Sequence, residues 1–394
     1  MNVNFVTPRP IWPVRGGDAV RAEQIVLSLS RFVSDPINLY VLTGEQDPDS
    51  IPPEVRGRLN IVSVPHKPTD RFAIIKFALI GKPLQYGLFF NANAKRLLNR
   101  AAREDDAIFV LHTIRAFSVL PKMLSPSRVA LDLCDSLSMT YDRLVKDKKQ
   151  PLLRRVVYLL EGRRLAVAER AVRTRADWRV VISPKDAEAI GDSGLQIIEN
   201  WVDFSAAIQD RIADTARQGP LLGVMVGNFR TVQNREGAAL LHAWTRSLRE
   251  RDLIKIRLWG RNADMLSGFA GPNFEIAGEY VDAETVFRPS DVSFCLTRVS
   301  GGMQNKVIQA SAYGVPSIIL PNVSESATYL QDGVSCIVVN SAAEIEQVLQ
   351  NHSRTDFFHL GSTARRLVGR EFGRIAIEKK WGAIFKSMIA GAKF

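Results

Sequence analysis

Short, almost uninterrupted apolar runs alternate with helical segments along this chain, and they come in two successive series. In the first half the runs are residues 4–7, 39–42, 61–64, 108–111, 129–133 and 180–183; in the second they are 221–226, 256–259, 274–276, 292–296, 317–320 and 336–339. A strand that is apolar on both sides must be covered on both sides, so the alternation predicts parallel sheets sandwiched between layers of helices. Between the runs, Ala22, Val26, Leu29 and Val33 recur at the spacing of one helix face, as do Leu153, Val156, Val157 and Leu160. At 394 residues the chain exceeds what one hydrophobic core usually serves, so the restart near residue 221 reads as a second domain. The expected fold class is α/β, two tandem Rossmann-like doubly wound domains. Residues 1–203 form the first, a polar stretch at 204–218 the hinge, and residues 219–370 the second. Sheets of this kind take ligands beyond the carboxyl ends of their strands, which predicts a cleft between the two domains.

One segment of the second half carries the clearest chemical signal. After the run at 292–296, Arg298 leads into Gly301, Gly302, Met303 and Gln304; a helix is expected from about Asn305; Gly314 and Pro316 end it; and another strand follows. Two glycines let backbone amides approach a ligand, and a helix start aims its unpaired N–H groups at the same point. Lys306 sits in the first turn of that helix, where a cation opposes the macrodipole by roughly 0.3–1 kcal/mol unless an anion lies there. Arg298 adds a second positive charge. The segment reads as a phosphate-binding loop, or else as an ordinary strand-to-helix turn with two solvated cations.

The formal net charge of +11 favours anionic partners. It is spread out, without the basic run or the interleaved aromatic and basic residues of a nucleic-acid surface, so no nucleic-acid partner is expected. No stretch approaches the ~20 apolar residues that span a bilayer, and the first residues lack the pattern of a signal peptide. Cys134, Cys295 and Cys336 are odd in number and far apart, which argues against a disulfide framework or a zinc site and for a reducing cytoplasm.

With two Rossmann-like halves and a phosphate loop late in the second, the chain resembles the retaining glycosyltransferases of the GT-B fold, specifically the large family four. Gly302, Asn305 and Lys306, followed by Gln309, Ala310, Gly314 and Pro316, are similar to that family's glycine, Asn-Lys, Glu-Ala, Gly-x-Pro signature in its exopolysaccharide form. Gly227, Asn228 and, farther on, Asn234 resemble the stretch after the first strand of the donor domain; residues 198–203 resemble the junction between the domains; and Gly16-Gly17-Asp18 resembles the N-terminal glycine loop. The resemblance implies that residues 371–394 form a helix crossing back to the first domain. It also implies a nucleotide-sugar donor, UDP- or GDP-linked, and a glycan or lipid-linked acceptor in cell-surface polysaccharide synthesis. Family members commonly carry two glutamates eight residues apart. Here those positions hold Gly301 and Gln309, and an amide lacks the charge that strengthens a bond to a ribose hydroxyl.

Carried over residue by residue, Arg230 and Lys306 would neutralise the leaving diphosphate, where negative charge builds as the anomeric bond breaks. Gln309, three residues after Lys306 on the same helix face, would reach the ribose. His112 closes the run at 108–111, at a carboxyl strand end facing the cleft, and is one of five histidines; it reads equally as a core or loop histidine. Asp135 and Ser136 end the next strand and are candidates to meet the acceptor. Asp18 is either an N-cap or a contact. Asp132 and Asp135 are three apart across a strand-to-loop passage, unlike the Asp-x-Asp of a metal site, so neither a metal nor another cofactor is expected. The leaving phosphate would take the acceptor's proton. Between residues 65 and 90, Lys67, Arg71, Lys76 and Lys82 mix with Phe72, Ile74, Ile75, Phe77, Leu79 and Ile80. This stretch suits either a helix packed on the sheet or peripheral contact with an anionic membrane at its cytoplasmic face. Two rivals share the fold: a nucleotide-sugar epimerase, and a binding or partner subunit that has lost turnover.

Overall fold

The computed structural model describes residues 1–14, 17–64, 71–146, 151–202, 204, 217–280, 282–298, 304–325 and 329–391. They form two compact units, Met1–Asn200 with Ile377–Phe394, and Trp201–Ala376. Of the expected hinge, only residues 204, 217 and 218 lie within the described part.

The first unit holds a seven-stranded sheet: β1 Val3–Thr7, β2 Ile37–Val41, β3 Leu59–Ile61, β4 Ile108–His112, β5 Val129–Cys134, β6 Trp178–Val181 and β7 Leu195–Ile197. The order is β3-β2-β1-β4-β5-β6-β7, and every neighbouring pair is parallel. Strand order reverses between β1 and β4, which opens a crevice beyond their carboxyl ends. All five residues of β1 and of β4 are buried, the covering on both faces that their apolar composition demands. Two strands depart from expectation. β3 comes two residues earlier than its apolar run, and β7, only three residues long and half-buried, has no periodicity to reveal it.

The helix Gly17–Phe32 buries the expected face, with Ala22, Val26 and Leu29 against the sheet. The helix Leu152–Ala171 does not. Leu153, Val156, Val157 and Leu160 are 77%, 47%, 44% and 50% exposed, and the buried positions are instead Glu161, Leu165, Ala168 and Glu169. The reason is polar. Glu161 accepts hydrogen bonds from the amides of Leu84 (2.9 Å) and Gln85 (3.0 Å), and Glu169 accepts from the Ser138 amide (3.1 Å) and hydroxyl (2.5 Å). Buried helix-start amides need acceptors, and that need turns this carboxylate face inward.

The second unit repeats the plan with six strands: β8 Leu221–Val226, β9 Ile254–Trp259, β10 Phe274–Gly278, β11 Val292–Cys295, β12 Ser317–Ile319 and β13 Cys336–Val338. The order is β10-β9-β8-β11-β12-β13, again parallel throughout, with the reversal between β8 and β11. Its core gathers Met225, Leu258, Phe294, Ile318 and Ile319 of the sheet with Phe357, Ala364 and Val368 of the helix Arg354–Phe372. Gly260 is required where β9 meets the loop after β8: its φ is +135°, and a Cβ there would lie 1.9 Å from the Gly227 carbonyl oxygen.

The last helix, Arg374–Gly391, begins in the second unit, and its residues from Ile377 onward belong to the first. There Trp381, Ile384, Phe385 and Met388 are buried, and the Phe385 ring meets Phe32 of the Gly17–Phe32 helix. Among the described residues, no helix is long and apolar enough to cross a membrane.

Candidate functional site

In the second unit, chemistry-bearing side chains converge at the strand-order reversal. β11 ends at Cys295; Thr297 follows, buried; and the helix Asn305–Ala312 starts after the glycine loop. Lys306, in its first turn, donates from Nζ to Asn234 Oδ1 (2.9 Å) and Thr297 Oγ1 (3.2 Å). Asn234 lies near the start of the helix Val232–Arg246 and donates from Nδ2 to the Asn228 carbonyl (3.0 Å). Gly227 makes room for it, since a Cβ there would come within 2.8 Å of the Asn234 amide. One network therefore joins the loop after β8, the helix that follows it, the end of β11 and the start of the Asn305 helix.

Its charge is unbalanced. Arg230, Arg298 and Lys306 make no ion pair with a carboxylate among the described residues. Gln304, the N-cap of the Asn305 helix, makes no side-chain capping bond, which leaves the helix-start amides to another acceptor. Arg230 is exposed while its backbone is fixed: its amide donates to Asn228 Oδ1 (3.0 Å), and Arg235 Nη1 donates to the carbonyls of Phe229 (3.0 Å) and Arg230 (2.7 Å). Beneath the network, burial pushes the Cys295 thiol up, against the opposing field of Lys306. Asn305 is exposed, and Gln309 is half-buried one turn farther along. Gly301, Gly302 and Met303 lie outside the described residues, as does Gly16 of the first unit.

Two residues of this network carried no sequence signal. Asn322 donates from Nδ2 to the carbonyls of Thr297 (2.8 Å) and Arg298 (3.0 Å), holding the exit of β11, and Arg235 shapes the loop after β8. Asn322 acts on carbonyls more than twenty residues before it and Arg235 on the loop just ahead of its own helix, and no spacing rule announces either contact.

In the first unit, register sets the chemistry. β4 and β5 pair His112 with Asp132, and His112 Nδ1 lies 2.9 Å from Asp132 Oδ2. Arg21, on the Gly17–Phe32 helix, completes a buried triad: Nη2 donates to Asp132 Oδ1 (2.9 Å), and Nε donates to Oδ1 (3.2 Å) and Oδ2 (3.3 Å). Arg21 and Asp132 are both 0% exposed. Burial alone would raise the Asp132 carboxyl; the Arg21 guanidinium and the His112 hydrogen bond outweigh it and hold it down at about 2. An ionised carboxylate only accepts, so Nδ1 carries the imidazole hydrogen, and in the neutral ring Nε2 is left as an acceptor. Nε2 is buried and has no partner among the described residues, and neither has Thr113 Oγ1 beside it. Thr113 has φ +62°, an unusual conformation for a β-branched residue, and Cys134 at the end of β5 has φ +65°. Strain at two adjacent strand ends marks this edge of the sheet.

The remaining candidates separate. Asp135 lies just beyond β5, and its carboxyl is pushed up by partial burial of the group and then by Asp186 and Asp18. Asp18 sits in the first helical turn, within 3.6 Å of Arg115 and 3.9 Å of Arg9, so it pairs with cations rather than serving as the N-cap. Gly17 opens the helix with nothing within 4 Å of where a Cβ would stand. Ser136 departs from the expected acceptor contact. It is fully buried; its hydroxyl accepts from the Met139 amide (3.2 Å) and contacts Ser138 and Glu169; and its amide donates to Asp186 Oδ1 (2.9 Å). It starts the helix Leu137–Lys146 from the inside. Among the described residues, no three His, Cys, Asp or Glu side chains are grouped as a metal would need.

Comparison with known proteins places this geometry. Residues 221–352, in the second unit, match the family model described as Glycosyl transferases group 1. No curated protein matches by sequence. Among solved structures, the sucrose-phosphate synthase of Thermosynechococcus elongatus superposes with a TM-score of 0.69 at 14% identity, covering 99% of this chain and 100% of that one. Anabaena Alr3699/HepE in complex with UDP-glucose gives 0.61 at 11% identity, covering 98% and 100%. WaaG, a glycosyltransferase involved in lipopolysaccharide biosynthesis, gives 0.62 at 15% identity, covering 97% and 99%. The fold is GT-B, with two Rossmann-like units.

Proposed function

We propose that this chain is a retaining glycosyltransferase that takes a sugar from a UDP- or GDP-linked donor and passes it to a glycan or lipid-linked acceptor in cell-surface polysaccharide synthesis. The observation that carries the reading is Lys306, a cation in the first turn of a helix, joined through Asn234 to the loop that carries Arg230 and through Thr297 to the strand exit that carries Arg298, with none of the three paired to a carboxylate among the described residues. A diphosphate satisfies all of these groups at once. The acceptor hydroxyl attacks the anomeric carbon, the carbon–oxygen bond to the diphosphate breaks with its electron pair going to phosphate, and the acceptor's proton passes to a phosphate oxygen. Arg230 and Lys306 meet the developing charge without waiting for solvent to reorganise. They supply positive charge of the kind a metal would bring, which supports metal-independent transfer. His112 presents Nε2 as an acceptor for a sugar hydroxyl. Bound UDP in HepE and the group 1 domain match add support for a nucleotide-sugar donor.

Incubation with a panel of UDP- and GDP-sugars tests this. One nucleotide class should raise the melting temperature, and transfer should proceed in EDTA with the anomeric configuration kept, read by NMR of the product. Binding without turnover on any acceptor would make the chain a binding subunit; inversion would instead assign His112, backed by Asp132, as the base that takes the acceptor's proton.

We also propose that the first unit rests on an anionic membrane. A pocket of about 540 Å³ there is lined by Lys76, Lys82, Lys95, Lys122 and Arg175 and by no acidic residue. Burial, then Lys122 and Lys76, push the Lys95 ammonium down, a strain that an anion relieves. Phe72 and Leu79 beside it are 83% and 82% exposed. Vesicles rich in acidic phospholipid should retain the protein, and the pair Lys76→Glu with Lys122→Glu should weaken that retention about thirtyfold or more, at ~1 kcal/mol for each positive charge removed. Equal retention on neutral vesicles would exclude this surface.

A further inference from the structure

Arg21 has more partners than Asp132 requires. Beyond the three contacts to the carboxylate, Nη1 donates to the Glu199 carbonyl (3.0 Å) and to Asn200 Oδ1 (3.2 Å), and the guanidinium lies over the Trp381 ring, 5.2 Å from its centroid. Asn200 is the last residue of the first unit before the chain leaves it, and Trp381 lies on the segment that returns at Ile377. Two neighbouring ion pairs tie the same segments down: Lys380 to Glu199 (2.6 Å) and Arg31 to Glu378 (2.6 Å). Both crossings of the chain are thus gathered around one guanidinium, and the other edge of that guanidinium holds the carboxylate that holds His112.

We propose that Arg21 is a positioning residue: it locks Asp132 and so fixes the tautomer and orientation of His112, and it makes that lock depend on residues 199–200 and on the returning segment being seated. This rests on the reading of His112 as a sugar contact. The geometry supports it in three ways. Asp132 has two oxygens, and both receive Arg21 while only Oδ2 receives His112, so the guanidinium holds the plane of the carboxylate that His112 meets. The planar fork of arginine spans Asp132 and Asn200 together, which a lysine ammonium on a flexible stem does not. The triad is fully buried, so water does not replace a lost contact. A displacement of Asn200 or Trp381 therefore reaches the imidazole through two rigid, charge-assisted links.

The test uses the full chain labelled with ¹⁵N-histidine, with the His112 ring signals assigned by comparison with His112→Gln. In the wild type, neutral His112 should carry its hydrogen on Nδ1 alone. Arg21→Lys and Asn200→Ala should each give a mixture of tautomers and lower kcat, by about tenfold and about threefold, with the donor KM unchanged. Arg31→Ala, which breaks a neighbouring pair without touching Arg21, should lower the melting temperature and leave the His112 signals as they were. If Arg21→Lys does not fold, Asn200→Ala decides. Unchanged His112 signals in the folded variants, whatever their stability, overturn the proposal. Wild-type transfer by His112→Gln would instead defeat the reading of His112 as a sugar contact, and the ring signals would still decide what Arg21 does.

Discussion

Replacing Lys306 by alanine is expected to weaken binding of UDP or GDP tenfold or more, from a loss of ~1.5–3 kcal/mol for a charge-assisted contact. The side chain stands in the first turn of the Asn305–Ala312 helix, where its charge is unfavourable to the helix and favourable only to an anion. The same ammonium bridges Asn234 and Thr297, so part of any loss reflects loosening of the loop after β8. Asn234→Ala separates the two effects, because it keeps the charge and frees the ammonium; its affinity loss should be the smaller. Isothermal titration with each nucleotide measures both, and unchanged affinity in Lys306→Ala removes this residue from the site.

Asp132→Ala should cost the protein about 3–5 kcal/mol, because it strands the fully buried Arg21 without its counter-charge. Pair removal of this kind is among the few single changes that approach a domain's whole stability. The pH dependence has a definite sign. The Asp132 carboxyl lies at about 2 in the folded protein against 3.8 for the unperturbed group, so the unfolded chain binds the proton first on acidification. Its stabilisation, on the order of 2 kcal/mol, is complete above about pH 5 and is lost as the pH falls towards 2. Urea midpoints from pH 2.5 to 7 should show a weaker acid limb in Asp132→Ala than in the wild type. A cost below about 1 kcal/mol, or identical acid limbs, would show that Arg21 finds other partners.

How much of this was readable beforehand depends on the range of the interaction. All six strands of the second sheet match their apolar runs to within two residues at each end, and the helix after the glycine loop begins at Asn305 and ends at Ala312, before Gly314 and Pro316. Strand composition and helix ends are local properties, fixed by burial on both faces and by where N–H groups run out of partners. β7, too short for any period, escaped that reading. The helix Leu152–Ala171 misled it, since its apolar spacing points outward and the carboxylates of Glu161 and Glu169 turn inward to serve amides far away in sequence.

The candidate site divides along the same line. The sequence by itself determined the α/β class and the two successive sheets, and it supplied the pattern of Arg298, Lys306 and their glycines on which the proposed phosphate site rests, because each depends on neighbours within one or two turns of chain. Only the tertiary structure decided what His112 and Lys306 touch. Register across two strands brought Asp132 to His112, a helix from the N-terminus brought Arg21 to Asp132, and the loop after β8 brought Asn234 to Lys306. Each of these contacts joins residues separated by 20 to 111 positions. Composition and periodicity carry no record of such distances; the packing of parallel strands and their crossover helices sets them.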